Sequence, residues 1–289
     1  MEDAFIMKDE RECGGSVGVL DAHKEAERAR YDASAPADDE DGPPGYDWRA
    51  GSVTMNPALR APYRAVEGLV TSRAAGKLVL DYGSGHGIYS IAPARAGAEV
   101  IGVDISPRST AMAASRARRA GVADRCRFVV GDCDRLPFPS ATFDLVLSMG
   151  TLSSLRHEVA FAELARLVKP GGEVILADTL GHNPLLNLNR RLLYWRGRRT
   201  RWELDHIPTL RSLDLAREHF RGVRVEFFDV TTPLLAPFCR GDNAFARRLT
   251  HLGEAVDRRL VRLGPLRRLA FKFVCILTDP ITVDARREP

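Results

Sequence analysis

From residue 77 to residue 177 the chain alternates short apolar, β-branched stretches with helix-forming ones. Residues 77–81 (KLVLD), 99–104 (EVIGVD), 127–130, 143–148 (FDLVLS) and 173–177 (EVILA) read as strands. Between them, 88–96, 107–120 with Pro107 at its start, and 158–168 read as helices, the last stopped by Pro170-Gly171-Gly172. Strands that are apolar at nearly every position are buried on both faces. Such strands joined by helices build a parallel sheet with helices on each side, which predicts a doubly wound α/β fold.

The flanks differ. Residues 1–20 carry no periodic pattern, 21–31 read as a short polar helix, and 32–45 (DASAPADDEDGPPG) read as a mobile linker. Residues 1–45 are therefore expected to form a partly disordered N-terminal segment with a short helix, and 46–289 one domain. A helix is expected over 56–70, with Leu59, Tyr63, Val66 and Leu69 on one face. After Asp178 the rhythm breaks. Residues 181–210 are expected to be irregular, 213–220 helical, and 223–230 and 269–278 strands six and seven. An apolar loop at 232–237 and a basic helical stretch at 244–263 separate those two strands, so 181–211 and 231–265 read as pocket or lid insertions.

Composition bounds the setting. The 289 residues are 45% hydrophobic and 28% charged, ordinary for a globular protein. No uncharged apolar run approaches the roughly 18 residues of a membrane-spanning helix. The start, Met1-Glu2-Asp3, is acidic and lacks an apolar signal core, and the five cysteines contain no C-x-x-C pair. Those features argue against a disulfide framework or a structural zinc site, and for a reducing, cytoplasmic setting with no metal. A net charge of +4 does not call for nucleic acid.

The loop Asp81-Tyr82-Gly83-Ser84-Gly85-His86-Gly87 ends the first strand and opens a helix. Ile88 stands where a dinucleotide fingerprint needs glycine, and no Gly-Lys-Ser/Thr follows for a phosphate loop. Asp104 ends the second strand, where a carboxylate can accept from both hydroxyls of a ribose. Gly131-Asp132-Cys133 follows the third strand, offering a carboxylate to an adenine amino group. Asp144 and then Ser148-Met149-Gly150 mark the fourth. Each Asp alone could be a turn or helix cap. In order on consecutive strands, at the carboxyl ends where open α/β sheets bind ligands, they read as a nucleoside site.

These pieces, together with Leu136-Pro137-Phe138, Phe143-Asp144-Leu145-Val146 and Leu167-Val168-Lys169-Pro170-Gly171-Gly172, resemble the core of class I S-adenosylmethionine-dependent methyltransferases of the small-molecule type. The resemblance implies a Rossmann-like seven-stranded sheet whose last strand is antiparallel. It assigns Asp81, Tyr82, Gly83, Ser84 and Gly85 to the cofactor site, with the loop on to Gly87 around the methionine part. It places the ribose on Asp104, the adenine against Ile105 with its edge at Asp132 and Cys133, and Met149 and Gly150 near the methionine end.

One departure bears on chemistry. Ser153-Ser154 stands where many members carry one or two His, so a general base usually assigned there is missing; His157 is nearby. Asp178, His182 and His206 are the candidate acid–base set, with His206 and His182 the best bases. His86 lies in the cofactor loop, and His23 and Tyr31 in a helix that closes over the cofactor in many relatives. The Arg-rich stretch 190–201 could hold an anionic substrate group, lie on an anionic membrane surface, or simply be solvated. The apolar stretch 233–238 favours a substrate with a hydrophobic body. The expected reaction is in-line methyl transfer to a small, largely apolar acceptor, a specialised metabolite or lipid-like intermediate. Two alternatives stay open: a nucleic-acid methyltransferase, although no Asn/Asp-Pro-Pro-aromatic motif stands at 148–151, and a non-catalytic partner that binds the cofactor. The methylated element (O, N or C) and the oligomeric state stay open as well.

Overall fold

Residues 22–34, 56–197, 199–239 and 243–281 are described by a computed structural model of the chain. Residues 1–21 and 35–45 of the expected N-terminal segment lie outside the described residues.

Seven strands form one sheet: β1 (Leu78–Tyr82), β2 (Glu99–Asp104), β3 (Cys126–Val130), β4 (Phe143–Met149), β5 (Val168–Thr179), β6 (Phe220–Phe228) and β7 (Lys272–Pro280). Their spatial order is β3-β2-β1-β4-β5-β7-β6. The first five strands pair in parallel, and β7 runs antiparallel to both neighbours. The doubly wound, Rossmann-like expectation therefore holds, including the antiparallel last strand.

The continuous apolarity of the strands has a direct cause. Successive residues of a strand point to opposite faces. Leu80, Val146, Val174 and Leu176 enter one core with Phe161 and Leu164 of α5 (His157–Leu167) and Leu213 of α8 (Leu210–Leu215). Val79, Leu145, Leu147 and Ile175 enter the other, with Val66 and Val70 of α2 (Ala61–Thr71), Ile91 and Ala94 of α3 (Ile91–Arg95) and Ala117 of α4 (Pro107–Arg119). With both faces covered, the central strands β1 and β4 carry no exposed side chain, while the outer strands β3 and β6 keep some.

Pro170-Gly171-Gly172 is not what stops α5: the helix ends at Leu167, and the Pro-Gly-Gly lies within the next strand. β5 begins at Val168, and its register against β4 shifts between Phe143 and Leu145, so the Pro-Gly-Gly turn is absorbed as an irregularity. Other boundaries also differ. Residues 181–210 are not irregular: α6 (Pro184–Trp195) starts where Asn183 Oδ1 accepts from Leu185 N and Leu186 N, and α7 (Arg201–Asp205) starts on a Thr200–Glu203 capping box. The expected helix over 213–220 begins earlier, at Leu210 in α8, and Phe220 already belongs to β6. The loop at 232–237 contains the short helix α9 (Thr232–Leu235), followed by α10 (Ala244–Leu260). The N-terminal helix, α1 (Ala22–Ser34), extends into the segment expected to be a linker.

The antiparallel β7 fixes where the insertions lie. Phe228 at the end of β6 is level with Lys272 at the start of β7, and Thr179 at the end of β5 pairs with that same Lys272. Residues 180–219 and 229–271 therefore both leave the sheet at its carboxyl edge.

Candidate active site

A cavity of about 280 Å³ opens at the carboxyl ends of β1, β2 and β4. Its floor is the glycine loop. Gly83 takes φ +75°, and a Cβ there would land inside the Thr151 side chain. Gly83 N and Ser84 N both donate to Val103 O, at 2.9 and 2.8 Å, which bends the chain back over β2. Gly87 takes φ +69°, and a Cβ there would lie 2.7 Å from that of Ala113, so glycine lets the loop seat on α4. These are backbone positions that need glycine.

Asp104 ties this loop to β2. Its Oδ2 accepts from Gly85 N and its Oδ1 from Ser106 N, both at 2.9 Å. Burial pushes its carboxyl above the usual range, and the amide bonds from Ser106 and Gly85 pull the other way. Ile105, Asp132 and Cys133 continue the wall, and Met149 and Gly150 form the side beyond β4. Ser84 also lines the cavity, and its Oγ is buried without a hydrogen-bond partner among the described residues. A buried hydroxyl left unmet costs free energy that a ligand acceptor or donor recovers.

Helix α1 closes one side through Lys24, Glu27 and Tyr31. Lys24 Nζ lies 2.5 Å from both Asp132 Oδ2 and Asp134 Oδ2. Burial opposes the charge on Lys24, but the two carboxylates outweigh it and its pKa is raised. Thr200 Oγ1 donates to Glu27 Oε1 at 2.6 Å, and Arg30 pairs with Glu203 at 2.7 Å. The His23 ring stacks on Trp202 at 3.7 Å, and the Tyr31 hydroxyl lies 3.4 Å from Ser154 Oγ. Burial raises the Tyr31 phenol. The helix thus spans the opening and is held by polar and stacking contacts.

Gly83, Ser84, Gly85, Asp104, Ile105, Asp132, Cys133, Met149 and Gly150 all line this cavity, and so does His86. Asp81 and Tyr82 do not, because the pleat turns them to opposite faces beneath the loop. Asp81 is 1% exposed and accepts from Ser90 Oγ at 2.6 Å; burial pushes its carboxyl up to about 7. The Tyr82 hydroxyl donates to Cys133 O at 2.5 Å. Asp144 is at the amino end of β4, not the carboxyl end, where it accepts from Leu78 N and Lys169 Nζ.

The three acid–base candidates also fall elsewhere. Buried Asp178 accepts from Leu152 N at 3.0 Å and Thr179 N at 2.6 Å. His182 is exposed, and its Nε2 accepts from Leu210 N at 3.0 Å, which commits the lone pair a base would use. His206 stacks on Trp202 at 3.8 Å with Nδ1 3.0 Å from Trp202 O, and its ring centre is 6.3 Å from that of His157. None of the three lines the cavity. Sequence reasoning missed Lys24, Glu27, Thr151 and Leu155 as lining residues. Lys24, Glu27 and Tyr31 recur at i, i+3 and i+7, so a polar stripe on one helix face was the available signal for the first two.

A carboxylate at the β2 end, a glycine cradle, an unmet hydroxyl and apolar Ile105, Met149 and Leu155 together suit a nucleoside with a charged tail. Comparison with known proteins agrees. Residues 80–176 match the family model described as a methyltransferase domain. The chain is 35% identical over 139 residues to the 27-O-demethylrifamycin SV methyltransferase of Amycolatopsis mediterranei, covering 47% of this chain and 50% of that protein. It is 29% identical over 244 residues to the sterol 24-C-methyltransferase of Eremothecium gossypii, covering 78% and 61%. The matched stretches thus span only about half to three-fifths of these two relatives. Among solved structures, the geranyl diphosphate C-methyltransferase of Streptomyces coelicolor A3(2) superposes with a TM-score of 0.58 at 15% identity, over 90% of this chain and 98% of that one.

Proposed function

We propose that the chain is a class I S-adenosylmethionine-dependent methyltransferase, its residues 80–176 matching a methyltransferase domain, and that it transfers the donor methyl to a small, largely apolar acceptor. The observation that carries the reading is Asp104, which holds Gly85 N while lining the same cavity as the glycine loop.

The residues present fit the donor. Ser84 Oγ is an unmet buried hydroxyl in the cavity wall, and the Gly83–Gly87 turn leaves backbone where side chains would intrude. Asp104 would hold the ribose, Ile105 the adenine face, Asp132 and Cys133 the adenine edge, and the glycine loop with Met149 and Gly150 the methionine part. When bound, S-adenosylmethionine supplies a methyl group already activated by sulfonium charge. The chain's task is then placement, and orientation of two reactants can lower a barrier by roughly 7–11 kcal/mol. Helix α1 excludes water from one side, and Ile88, Met149 and Leu155 present apolar surface to the acceptor's body. Asp178 and His206 act as positioning groups: Asp178 fixes the turn that carries Ser154 and Leu155, and His206 supports Trp202 against α1. His182 pins the start of α8.

Calorimetry with S-adenosylhomocysteine tests the reading. Saturable uptake, and transfer of labelled methyl into an apolar fraction of small-molecule extract, are expected. Absence of uptake overturns it, and uptake without transfer identifies a cofactor-binding partner instead.

A further inference from the structure

Arg190 on α6 is only 3% exposed, yet its hydrogen bonds among the described residues go to neutral oxygens and not to a carboxylate. Its Nη1 donates to Leu180 O at 3.1 Å and Asn187 Oδ1 at 2.7 Å, while its Nη2 is buried without a hydrogen-bond partner among the described residues. Burial pushes the guanidinium down to about 10, the charge of Arg199 pushes the same way, and Asp178 opposes them. The group stays cationic at neutral pH, and an uncompensated buried charge is costly.

Arg190 lines a second cavity, of about 460 Å³, which begins at Gly181 just beyond β5. Arg191 and Arg201 line it too, and the single lining carboxylate, Asp205, is already paired with Arg201 at 2.8 Å. Its remaining wall is largely apolar or aromatic, with Tyr194, Trp195, Leu204 and Ile207. This cavity shares the sheet edge of the first: Met149 is level with Ala177, and Gly150 N donates to Ala177 O at 2.8 Å. On the outer side of α6, Leu185, Leu188, Leu192 and Trp195 stand exposed at i, i+3, i+7 and i+10, an apolar stripe beside the basic cavity.

We propose that this cavity binds the phosphate or diphosphate head of an amphiphile whose apolar body is the methyl acceptor. Guanidinium forks match phosphate oxygens, and several of them around one cavity exceed what a single carboxylate can satisfy. The aromatic and aliphatic wall suits the chain that follows the head. Naming the ligand as the acceptor rests on the proposed function; the anion site itself rests only on the arginines.

The test uses the full chain and calorimetry with inorganic pyrophosphate, with S-adenosylhomocysteine titrated separately. Saturable pyrophosphate binding is expected. The double variant Arg191→Gln, Arg201→Gln, which removes two of the lining arginines, should weaken it by about tenfold or more, as loss of charge-assisted hydrogen bonds implies, with S-adenosylhomocysteine affinity within about twofold of wild type. Arg190→Gln should weaken it further; because that side chain also braces Leu180, the double variant decides if this one fails to fold. Dodecyl phosphate should compete with pyrophosphate, and its failure to do so overturns the amphiphile. Co-sedimentation with phosphatidic acid vesicles, lost in the double variant, would identify a lipid headgroup as the source; its absence alongside dodecyl phosphate binding identifies a free phosphorylated ligand. No saturable pyrophosphate binding, or equal binding by the double variant, overturns the site. Pyrophosphate binding without S-adenosylhomocysteine binding leaves the site standing and removes the methyl-transfer reading.

Discussion

Lys24 Nζ donates to Asp132 Oδ2 across 2.5 Å, joining a helix near the start of the chain to a loop 108 residues later. Asp132 is the acid proposed for the adenine edge, so on that reading the helix and the donor would meet at one carboxylate. Lys24→Ala should loosen α1 and weaken S-adenosylhomocysteine binding by about three- to tenfold, a partly exposed pair being worth about 1 kcal/mol. Hydrogen exchange over 22–34 should quicken in the variant. Unchanged exchange with unchanged affinity would show that α1 is held without this pair.

Asp104→Ala removes both the proposed ribose acceptor and the anchor of Gly85 N. A loss of about 1.5–3 kcal/mol in donor affinity is expected for a charged hydrogen-bonding group. Calorimetry with S-adenosylhomocysteine measures it, and wild-type affinity would remove Asp104 from the site.

Gly83→Ala and Gly85→Ala separate backbone strain from collision. Both positions have positive φ, but only at Gly83 does an added Cβ meet a neighbour, the Thr151 side chain. Each substitution should cost roughly 1–3 kcal/mol of backbone strain, and Gly83→Ala should be the more damaging by denaturant midpoint. Equal losses would contradict the packing at Thr151.

Asp81 gives a pH signature. Burial raises its carboxyl from 3.8 to about 7 in the folded state. The folded protein therefore holds that proton more tightly than the unfolded chain, and the stability it contributes is present below pH 3.8 and lost as pH rises through about 7. Asp81→Asn should match wild type near pH 4 and exceed it at pH 8, by on the order of a few kcal/mol. Asp229, also raised to about 7 by burial, keeps a residual slope in the variant. Denaturation midpoints between pH 4 and 8 check this; parallel curves would refute the buried acid.

His182→Ala should lower stability by about 1 kcal/mol, the net worth of the hydrogen bond from Leu210 N. Turnover at saturating substrate should stay within about twofold. A large fall in kcat with unchanged folding would restore His182 as a base.

The sheet was legible because its signal is local: apolar runs such as Val79-Leu80 and Val174-Ile175-Leu176 fill both cores and read as strands without knowledge of their partners. The cavity wall was legible for the same reason, since Gly83, Asp104 and Asp132 stand at or just after the ends of strands. Asp81 and Tyr82 were over-read because a motif gives position along the chain, while the pleat decides which side chains reach the ligand. The helices of 184–205 were obscured by an arginine-rich composition, although Asn183-Pro184 and Thr200…Glu203 are start signals. The histidines misled most. His206 is committed to Trp202 and His182 to Leu210 N, long-range or capping contacts that residue type alone does not disclose.

The reversed direction of β7 has a lasting consequence. Both ends of the 229–271 excursion are tethered beside Lys272, level with Thr179, where the 180–219 excursion departs. Two long segments can thus change length and chemistry at one rim while the paired strands keep their register. On the proposed function, a change of that rim would alter which acceptor is admitted while leaving the glycine loop and Asp104 undisturbed.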